Sequence, residues 1–217
     1  NCPKFTGYGL NKWNVSNVDN MSYMFSKCKN LKSKNVEKWD VSNVSRMSYM
    51  FSHCTNLNGK YLENWDISKV QFMEGLFYKC YKLNCNLNKW NVSNVTSMND
   101  LFFKCYKFNS DLSKWNISNV TTTLGMFSNC KNFTGTGLEK WNVSNVKDMS
   151  CMFNSCEKFN GNLEKWSEKL KKVTNMTSMF ENCSEFIGDG LYYWDVSNVE
   201  NMGYMFKNCS KFNSNLS

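Results

Sequence analysis

The fold is decided by the stretch Trp39-Asp40-Val41-Ser42-Asn43-Val44-Ser45-Arg46-Met47-Ser48-Tyr49-Met50-Phe51-Ser52-His53-Cys54, which the rest of the chain repeats with small changes. Its tryptophan recurs at intervals of 26, 26, 25, 25, 26, 25 and 28 residues. The eight positions are Trp13, Trp39, Trp65, Trp90, Trp115, Trp141, Trp166 and Trp194. A fixed period of about 20 to 50 residues is the signature of stacked repeats. We therefore predict one repeat domain over residues 1–217.

The ends of the chain fall in the middle of a repeat, at Asn1-Cys2 and at Asn208-Cys209. Solenoids need polar capping units for solubility. We therefore expect a fragment of a longer chain whose caps and targeting signals lie outside this sequence. No run of about 18 apolar residues occurs, so the sequence predicts no transmembrane segment.

Two hydrophobic periods alternate within each repeat. In Trp13-Asn14-Val15 apolar and polar residues alternate, the pattern of a short half-buried strand. Val18, Met21, Phe25 and Cys28 then follow at intervals of three, four and three, which is typical of one face of a helix. Ser16 lies between the two patterns and is a candidate N-cap. The sequence thus predicts an α/β repeat in which every coil is a short strand followed by a short helix.

Two irregularities interrupt the repeat. Two extra residues separate strand from helix in the segment 166–173, where we expect a bulge. Repeat five has Thr123 where other repeats have Met, and the adjacent Leu124 is expected to fill the vacated space.

The repeated string Trp-[Asn/Asp]-[Val/Ile]-Ser-Asn-Val, followed by Met-x-x-Met-Phe and Cys, resembles the 26-residue bacterial surface protein repeat of the BspA-like leucine-rich-repeat surface proteins. The string recurs in this form at Trp13, Trp39, Trp90, Trp115, Trp141 and Trp194. The resemblance covers essentially the whole chain. It implies a leucine-rich-repeat-like solenoid of about eight coils and a role in surface attachment or recognition. It carries over no catalytic residues.

Nine of the eleven cysteines form a column with one member per repeat, and only Cys85 and Cys151 lie outside it. The column shares the apolar face with Met and Phe, where a free cysteine behaves as a small hydrophobic residue. We predict reduced packing residues, although stacked coils would also bring neighbouring thiols within bridging range. With a single histidine, His53, and no zinc-type spacing, the sequence predicts no metal site and no cofactor.

The tryptophan column admits two interpretations, exposed rings that stack on sugars or buried core residues. Each tryptophan shares its strand face with a valine or isoleucine, which favours the core. The paired methionines are assigned to the core by the same argument.

The opposite strand face is the candidate binding surface, because solenoids often bind partners on one repeated face. It carries lysines and amide or carboxylate residues in register. The members are Lys12, Asn14, Lys38, Asp40, Lys89, Asn91, Lys114, Asn116, Lys140 and Asn142, which we call the lysine–amide grid. Two interpretations stay open, a binding face or an ordinary solvated surface.

The formal charge of +8 raises the question of nucleic-acid binding. The lysines are interspersed with glutamates and Arg46 is the only arginine, so the concentrated basic stripe of a phosphate track is missing. The sequence therefore predicts no nucleic-acid partner. It also shows no catalytic constellation, which predicts that the protein is not an enzyme.

The main functional hypothesis is a cell-surface or extracellular recognition and adhesion module whose partner is a protein or glycan surface. The alternative is a structural scaffold, a shell or spacer component of a cell envelope or virus particle, with a virion or intracellular location. Self-association along the solenoid is also expected.

Overall fold

The computed structural model describes residues 1–216, which form eight stacked coils after the partial coil 1–12. We number the coils from the tryptophan that begins each one, with the bounds 13–38, 39–64, 65–89, 90–114, 115–140, 141–165, 166–193 and 194–216. Successive coils are joined by isolated parallel β-bridges, which run Asn20↔Arg46, Arg46↔Phe72, Phe72↔Ser97, Ser97↔Thr122, Thr122↔Asp148, Asp148↔Asn175 and Asn175↔Asn201. The predicted solenoid of about eight coils is therefore present.

The composition of each coil differs from the prediction. Within residues 1–216 the structure has neither an α-helix nor a β-strand longer than a single bridge, so the expected strand plus helix is not formed. The regular elements are short 3₁₀ helices, Leu10–Lys12, Ser33–Val36, Leu138–Lys140, Glu164–Lys169 and Leu191–Tyr193. Everything else in the coils is turn or extended backbone.

Overlapping turns replace the predicted helix in coil 1. The N–H groups of Met24, Ser26 and Cys28 each donate to the carbonyl three residues earlier, at 3.0–3.2 Å. The intervening N–H groups point along the solenoid axis instead. Met21 donates to Arg46 O at 2.8 Å and Phe25 to Met50 O at 2.9 Å. Backbone donors thus alternate between their own coil and the next one.

Two left-handed residues per coil produce this alternation. In coil 1 they are Tyr23 (φ 59°) and Lys27 (φ 65°), and the same two positions have positive φ in every later coil. Each sits third in a four-residue turn, the position of positive φ in a type II turn. A non-glycine residue loses about 1 kcal/mol or more in this conformation. The N–H of each, however, donates to the next coil, as in Lys27 to Ser52 O at 2.7 Å.

The core is a set of columns that run through all coils. The phenylalanine column, Phe25, Phe51, Phe77, Phe102, Phe127, Phe153, Phe180 and Phe206, is stacked ring on ring at 5.6–5.9 Å. The tryptophans of coils 2 to 7 are buried beside it, as predicted, whereas Trp13 is 56% exposed. Burial of these apolar side chains is the main driving force for stacking.

Buried polar groups of the core donate hydrogen bonds between coils. The indole N–H of Trp90 donates to Leu62 O at 3.0 Å, and every tryptophan from Trp39 to Trp194 makes the equivalent bond at 2.8–3.2 Å. The thiol of Cys105 donates to Phe77 O at 3.1 Å, a bond repeated from Cys54 to Cys209. The thiols therefore bond to the preceding coil, and each indole N–H reaches the carbonyl three residues before the tryptophan that begins the preceding coil.

The cysteine column lies in the core, which confirms the predicted packing position for all members except the exposed Cys2 and the half-buried Cys209. Burial raises the pKa of the Cys54 thiol to about 12. The pKa values of Cys80 and Cys105 are also raised by burial. Such thiols stay protonated at neutral pH, so they act as hydrogen-bond donors rather than nucleophiles.

The two irregular repeats are accommodated locally. The insertion in 166–173 forms the 3₁₀ helix Glu164–Lys169 instead of an open bulge. At the missing methionine, the expectation for Leu124 is wrong, because Leu124 is 36% exposed and Thr123 itself is fully buried. The Thr123 hydroxyl lies 3.4 Å from Met152 Sδ and bonds there, so threonine fills the site in place of methionine.

Candidate functional site

The serine that follows each grid residue does not cap a helix, contrary to the sequence prediction. Its N–H donates instead to the Asn or Asp two residues earlier, as in Ser42 to Asp40 Oδ1 at 3.1 Å. Equivalent bonds of 3.1–3.2 Å join the serine N–H to Asn14, Asn91, Asn116 and Asn142. This is an Asx-turn, a local bond that these short side chains form readily. It fixes the rotamer of every amide in the grid.

The Asx-turns determine which amide group faces solvent. Because the serine N–H needs an acceptor, the side-chain oxygen of each grid asparagine is engaged and its NH₂ group is left outward. The neighbouring lysines present ammonium groups. The exception is Asp40, whose pKa is lowered by hydrogen bonds from the Ser42 hydroxyl and N–H, so it stays ionised. Apart from Asp40, the grid is a surface of hydrogen-bond donors.

A second amide column holds the grid in register. The side-chain NH₂ of Asn119 donates to Ser93 O at 2.7 Å, and Asn43, Asn94, Asn145 and Asn198 make equivalent bonds to the preceding coil at 2.6–3.0 Å. The asparagine of the Ser-Asn pair is thus structural, and it places the Asx-turns of successive coils directly beside each other.

All ten grid residues are exposed. The side chains of Lys12, Lys38, Lys89, Lys114 and Lys140 form no ion pair within the described part of the chain. Asn64, the last residue of coil 2, interrupts the lysine column, and a shallow depression of about 280 Å³ lies there. Its walls include Glu63, Asp66, Lys89 and Asn91. The structure thus brings the grid together as an open polar strip with one small hollow.

The arrangement offers no evident reaction chemistry. A second depression of about 520 Å³ is lined by Glu157 and Glu185 together with Thr134, Lys158, Asn160 and Ser184. Both glutamates are exposed and paired, with Lys131 at 2.7 Å and Lys211 at 2.5 Å. Across residues 1–216, no group of three or more His, Cys, Asp or Glu side chains is placed to hold a metal ion. No helix in that range has the length and hydropathy to cross a membrane.

Sequence reasoning overlooked a second exposed surface, which follows the phenylalanine column. Its side chains differ from coil to coil, so a consensus of the repeat conceals them. Rings and lysines cluster there in coils 3 and 4, for example Tyr78 and Lys79, or Phe103 and Lys104. The sequence does contain a sign of this surface, because Tyr and Phe follow the core phenylalanine at outward positions only in coils 3 and 4.

Comparisons with known proteins give a family and two distant structural similarities. A family model described as "Mycoplasma protein of unknown function, DUF285" matches residues 1–112, 50–166 and 167–217. A leucine-rich repeat protein from Eubacterium ventriosum is 18% identical, with 77% of this chain and 41% of that chain covered and a TM-score of 0.48. A TLR13–ssRNA13 complex is 10% identical over 89% of this chain and 41% of that chain, with a TM-score of 0.17. Both similarities are too weak to assign a fold or a ligand. No curated protein matches the chain.

Proposed function

The chain belongs to the family described as "Mycoplasma protein of unknown function, DUF285", and from the geometry of its surface we propose a non-enzymatic recognition module. In this proposal the lysine–amide grid binds a protein or glycan surface. The resemblance of the repeat to BspA-like surface proteins supports a cell-surface or extracellular location.

The observation that carries the proposal is the predominance of hydrogen-bond donors in the grid. Lys89, Lys114 and Lys140 stand beside Asn91, Asn116 and Asn142, whose amide oxygens each accept a serine N–H. The outward groups are therefore ammonium and NH₂ groups in rows fixed by the coil stacking. Such a surface complements a partner rich in carbonyl, hydroxyl or carboxylate oxygens, and rigid placement lowers the entropy lost on binding.

A charge-reversal variant tests the grid. Lys12, Lys38, Lys89, Lys114 and Lys140 are changed to Glu together, and binding is measured to an array of immobilised matrix proteins and glycans. We expect every array position bound by the wild-type protein to lose about tenfold or more in affinity, because repulsion replaces attraction at several contacts.

The matched control reverses five exposed lysines outside the grid, Lys4, Lys32, Lys34, Lys147 and Lys171. It changes the net charge equally, so it separates recognition from general attraction. Equal losses in both variants, or unchanged binding in the grid variant, would reject the grid as the recognition surface. Accessibility of the protein to protease on intact source cells tests the proposed surface location separately.

A structural scaffold is the second candidate, supported by the uninterrupted Trp and Cys hydrogen bonds from coil to coil and by the Asn bonds of coils 2, 4, 5, 6 and 8. These bonds give every coil a fixed orientation on its neighbour, which suits a stiff spacer. In that case the protein binds nothing on the array but lies in an isolated envelope or particle. Free thiols do not discriminate the two, because the column is buried and protonated in either setting.

A further inference from the structure

The five residues that follow each core phenylalanine form what we call the outward segment, in which the third residue is the cysteine of the core column and the lysines and rings are exposed or half-buried. In coils 1–4 these segments are 26–30, 52–56, 78–82 and 103–107, with six lysines and no acid. In coils 5–8 they are 128–132, 154–158, 181–185 and 207–211, with four lysines and three glutamates. We call the first set the basic aromatic face, whose outward members are Lys27, Lys29, His53, Tyr78, Lys79, Tyr81, Lys82, Phe103, Lys104, Tyr106 and Lys107.

The lysines of the two sets differ in whether they form ion pairs. All three ion pairs found among residues 1–216 lie in coils 5–8, and they join Lys131 to Glu157, Lys207 to Glu181 and Lys211 to Glu185. The lysines of the basic aromatic face have no acidic partner there. The ammonium of Lys79 lies over the Tyr78 ring at 5.2 Å and that of Lys104 over the Phe103 ring at 5.4 Å. Their charge is therefore available to an external anion.

The pKa of His53 reflects the positive charge of the lysines on this face. Its pKa is lowered by burial first and then by the charges of Lys79, Lys27 and Lys29. These three lysines come from coils 1 and 3, on either side of the histidine in coil 2. The positive field is thus shared across coils, as it would be for a ligand that spans several of them.

The rings of the face are stacked on one another along the axis. The centroids of Tyr78 and Phe103 lie 4.6 Å apart, and those of Tyr81 and Tyr106 lie 4.9 Å apart. Each stack holds two rings, so each ring has one face covered by its partner. The ammonium groups of Lys79 and Lys104 also lie over the rings of Tyr78 and Phe103, so the rings help to position the lysines.

We propose that the basic aromatic face binds a linear anionic polysaccharide, one carrying sulfate or carboxylate groups, laid along the solenoid axis. Lys79 and Lys104 occupy one row, and Lys82 and Lys107 a second row, each with members in adjacent coils. Adjacent coils repeat at about 5 Å, so each row holds two cations at about that spacing. This proposal is independent of the lysine–amide grid, which lies at a different part of each coil.

Two other polymers fit this face less well. A nucleic acid would stack its bases on open ring faces, and here each ring has one face covered by its partner, while Lys79 and Lys104 lie over the Tyr78 and Phe103 rings. A peptide added as a strand would need unpaired backbone groups. Those of this face are used between coils, as in Lys79 N–H to Phe103 O at 2.7 Å.

An anionic membrane and a second copy of the chain are also disfavoured. A bilayer would cover Glu74 and Asp100, which border the face, and the pKa of Asp100 is already raised by burial. A second copy would have to offer acids, but the glutamates of the corresponding segments in coils 5–8 are ion-paired within their own chain. A linear polyanion can follow the lysine rows without covering Glu74 and Asp100, and it brings its own negative charges.

The test measures binding of the intact chain to dextran sulfate, with neutral dextran of equal length as the reference. The variant Lys79→Asn/Lys104→Asn is expected to bind about tenfold more weakly, because two charge contacts are lost. Asparagine already occupies the equivalent positions at Asn129 and Asn182, with φ 62° at both, so the variant keeps the backbone conformation. Tyr81→Ser/Tyr106→Ser, which copies the serines found at this position in coils 7 and 8, leaves the charge unchanged and is expected to lose about threefold.

The control Lys147→Asn/Lys171→Asn removes the same charge at exposed positions outside both surfaces and is expected to change binding by less than about twofold. Several results would overturn the proposal. They are the absence of binding to dextran sulfate, an equal loss in the control, and tighter binding to neutral dextran. Tighter binding to a single-stranded oligonucleotide or to phosphatidylglycerol vesicles would assign the face to those partners instead.

Discussion

The inside and the outside of this solenoid change differently along its length. The phenylalanine of the core is the same residue in all eight coils, with ring spacings that stay within 5.6–5.9 Å. The outward segment that follows it changes from lysines in coils 1, 3 and 4, joined by rings in coils 3 and 4, to small polar residues and ion pairs in coils 5–8. Stacking therefore requires only the inward residues to repeat, and the outward ones are free to carry recognition.

The backbone explains why this freedom exists. The outward left-handed position of the segment holds lysine at Lys27, histidine at His53, asparagine at Asn129 and serine at Ser155, with φ between 58° and 65° in these four residues. The conformation is imposed by the N–H bond to the next coil, not by the side chain. Outward residues can thus be exchanged between coils at little cost, whereas inward ones cannot. Four measurements test this contrast, in order of decreasing effect.

Alkaline pH should lower the free energy of unfolding more than any single substitution, because it ionises the cysteines of the core. Burial raises the pKa of nine thiols, and seven of these belong to buried residues, namely Cys54, Cys80, Cys85, Cys105, Cys130, Cys156 and Cys183. Because the folded pKa exceeds the unfolded one, this stability is complete below the unfolded pKa and is lost as pH rises from about 9 towards 12. At pH 10 each thiol should cost about 1 kcal/mol, or several kcal/mol in all.

Denaturant unfolding of the reduced protein between pH 7 and pH 10 measures this loss. Cys80→Ala/Cys105→Ala should reduce the steepness of the pH dependence, since two titrating groups are removed. A stability that stays constant to pH 10, or a slope unaltered in the variant, would contradict a buried and protonated cysteine column.

Removing a central ring should have the next largest effect. Phe102 is fully buried and stacks on Phe77 at 5.9 Å and on Phe127 at 5.6 Å. Phe102→Ala should lower the free energy of unfolding by about 3–5 kcal/mol, because a cavity replaces the ring. The adjacent Phe103→Ser, which copies Ser128 of coil 5, should cost less than about 1 kcal/mol. Comparable losses in chemical denaturation would mean that the outward position is also part of the core.

The core could be predicted from sequence because hydrophobic pattern and period report burial directly. The pattern predicts Trp39, Met47, Met50 and Phe51 on the inside, and all four are fully or nearly fully buried. The predicted local conformation is wrong, since the spacing of three and four residues suits a run of turns as well as a helix. Tyr49 and His53 are poor candidates for positive φ by their own propensity, and only hydrogen bonds to another coil hold them there.

For the candidate site, the sequence could predict which residues are exposed, but it could not predict which hydrogen-bonding groups they present to solvent. The sequence pattern correctly placed all ten grid residues on the surface. It did not indicate that Asn91 would accept from Ser93 and so present its NH₂ group, because that depends on turn geometry. The basic aromatic face was overlooked because a repeat consensus averages away the residues in which coils differ.

An indole hydrogen bond should contribute less than a whole ring. Trp90→Phe removes the N–H that donates to Leu62 O at 3.0 Å, while that carbonyl keeps its bond from the Trp65 N–H at 3.1 Å. We expect a loss of about 0.5–1.5 kcal/mol in unfolding free energy. The same change at Trp13, which is 56% exposed, should cost less than about 0.5 kcal/mol. If the two losses are equal, the bond between coils contributes nothing beyond ring packing.

The smallest effect is expected at the ion pairs of coils 5–8. Lys131 and Glu157 lie 2.7 Å apart with about half of each side chain exposed, at 50% and 51%. Exposed pairs of this kind contribute no more than about 0.5–1 kcal/mol and are screened by salt. Lys131→Ser should therefore cost less than about 0.5 kcal/mol in low salt and nothing measurable in high salt. Tyr106→Ser changes the equivalent outward position of coil 4. Its change in unfolding free energy provides the comparison for coils 1–4, whose lysines form no ion pairs within residues 1–216.

A loss above about 1 kcal/mol for Lys131→Ser that persists in high salt would show that the pairs hold the coils together. The expected small loss would show instead that they chiefly neutralise the outward lysines of coils 5–8. Neutralisation is what distinguishes the two halves electrostatically, because the lysines of coils 1–4 lack such partners. The variant thus tests whether the surface charge of this solenoid is set independently of its stability.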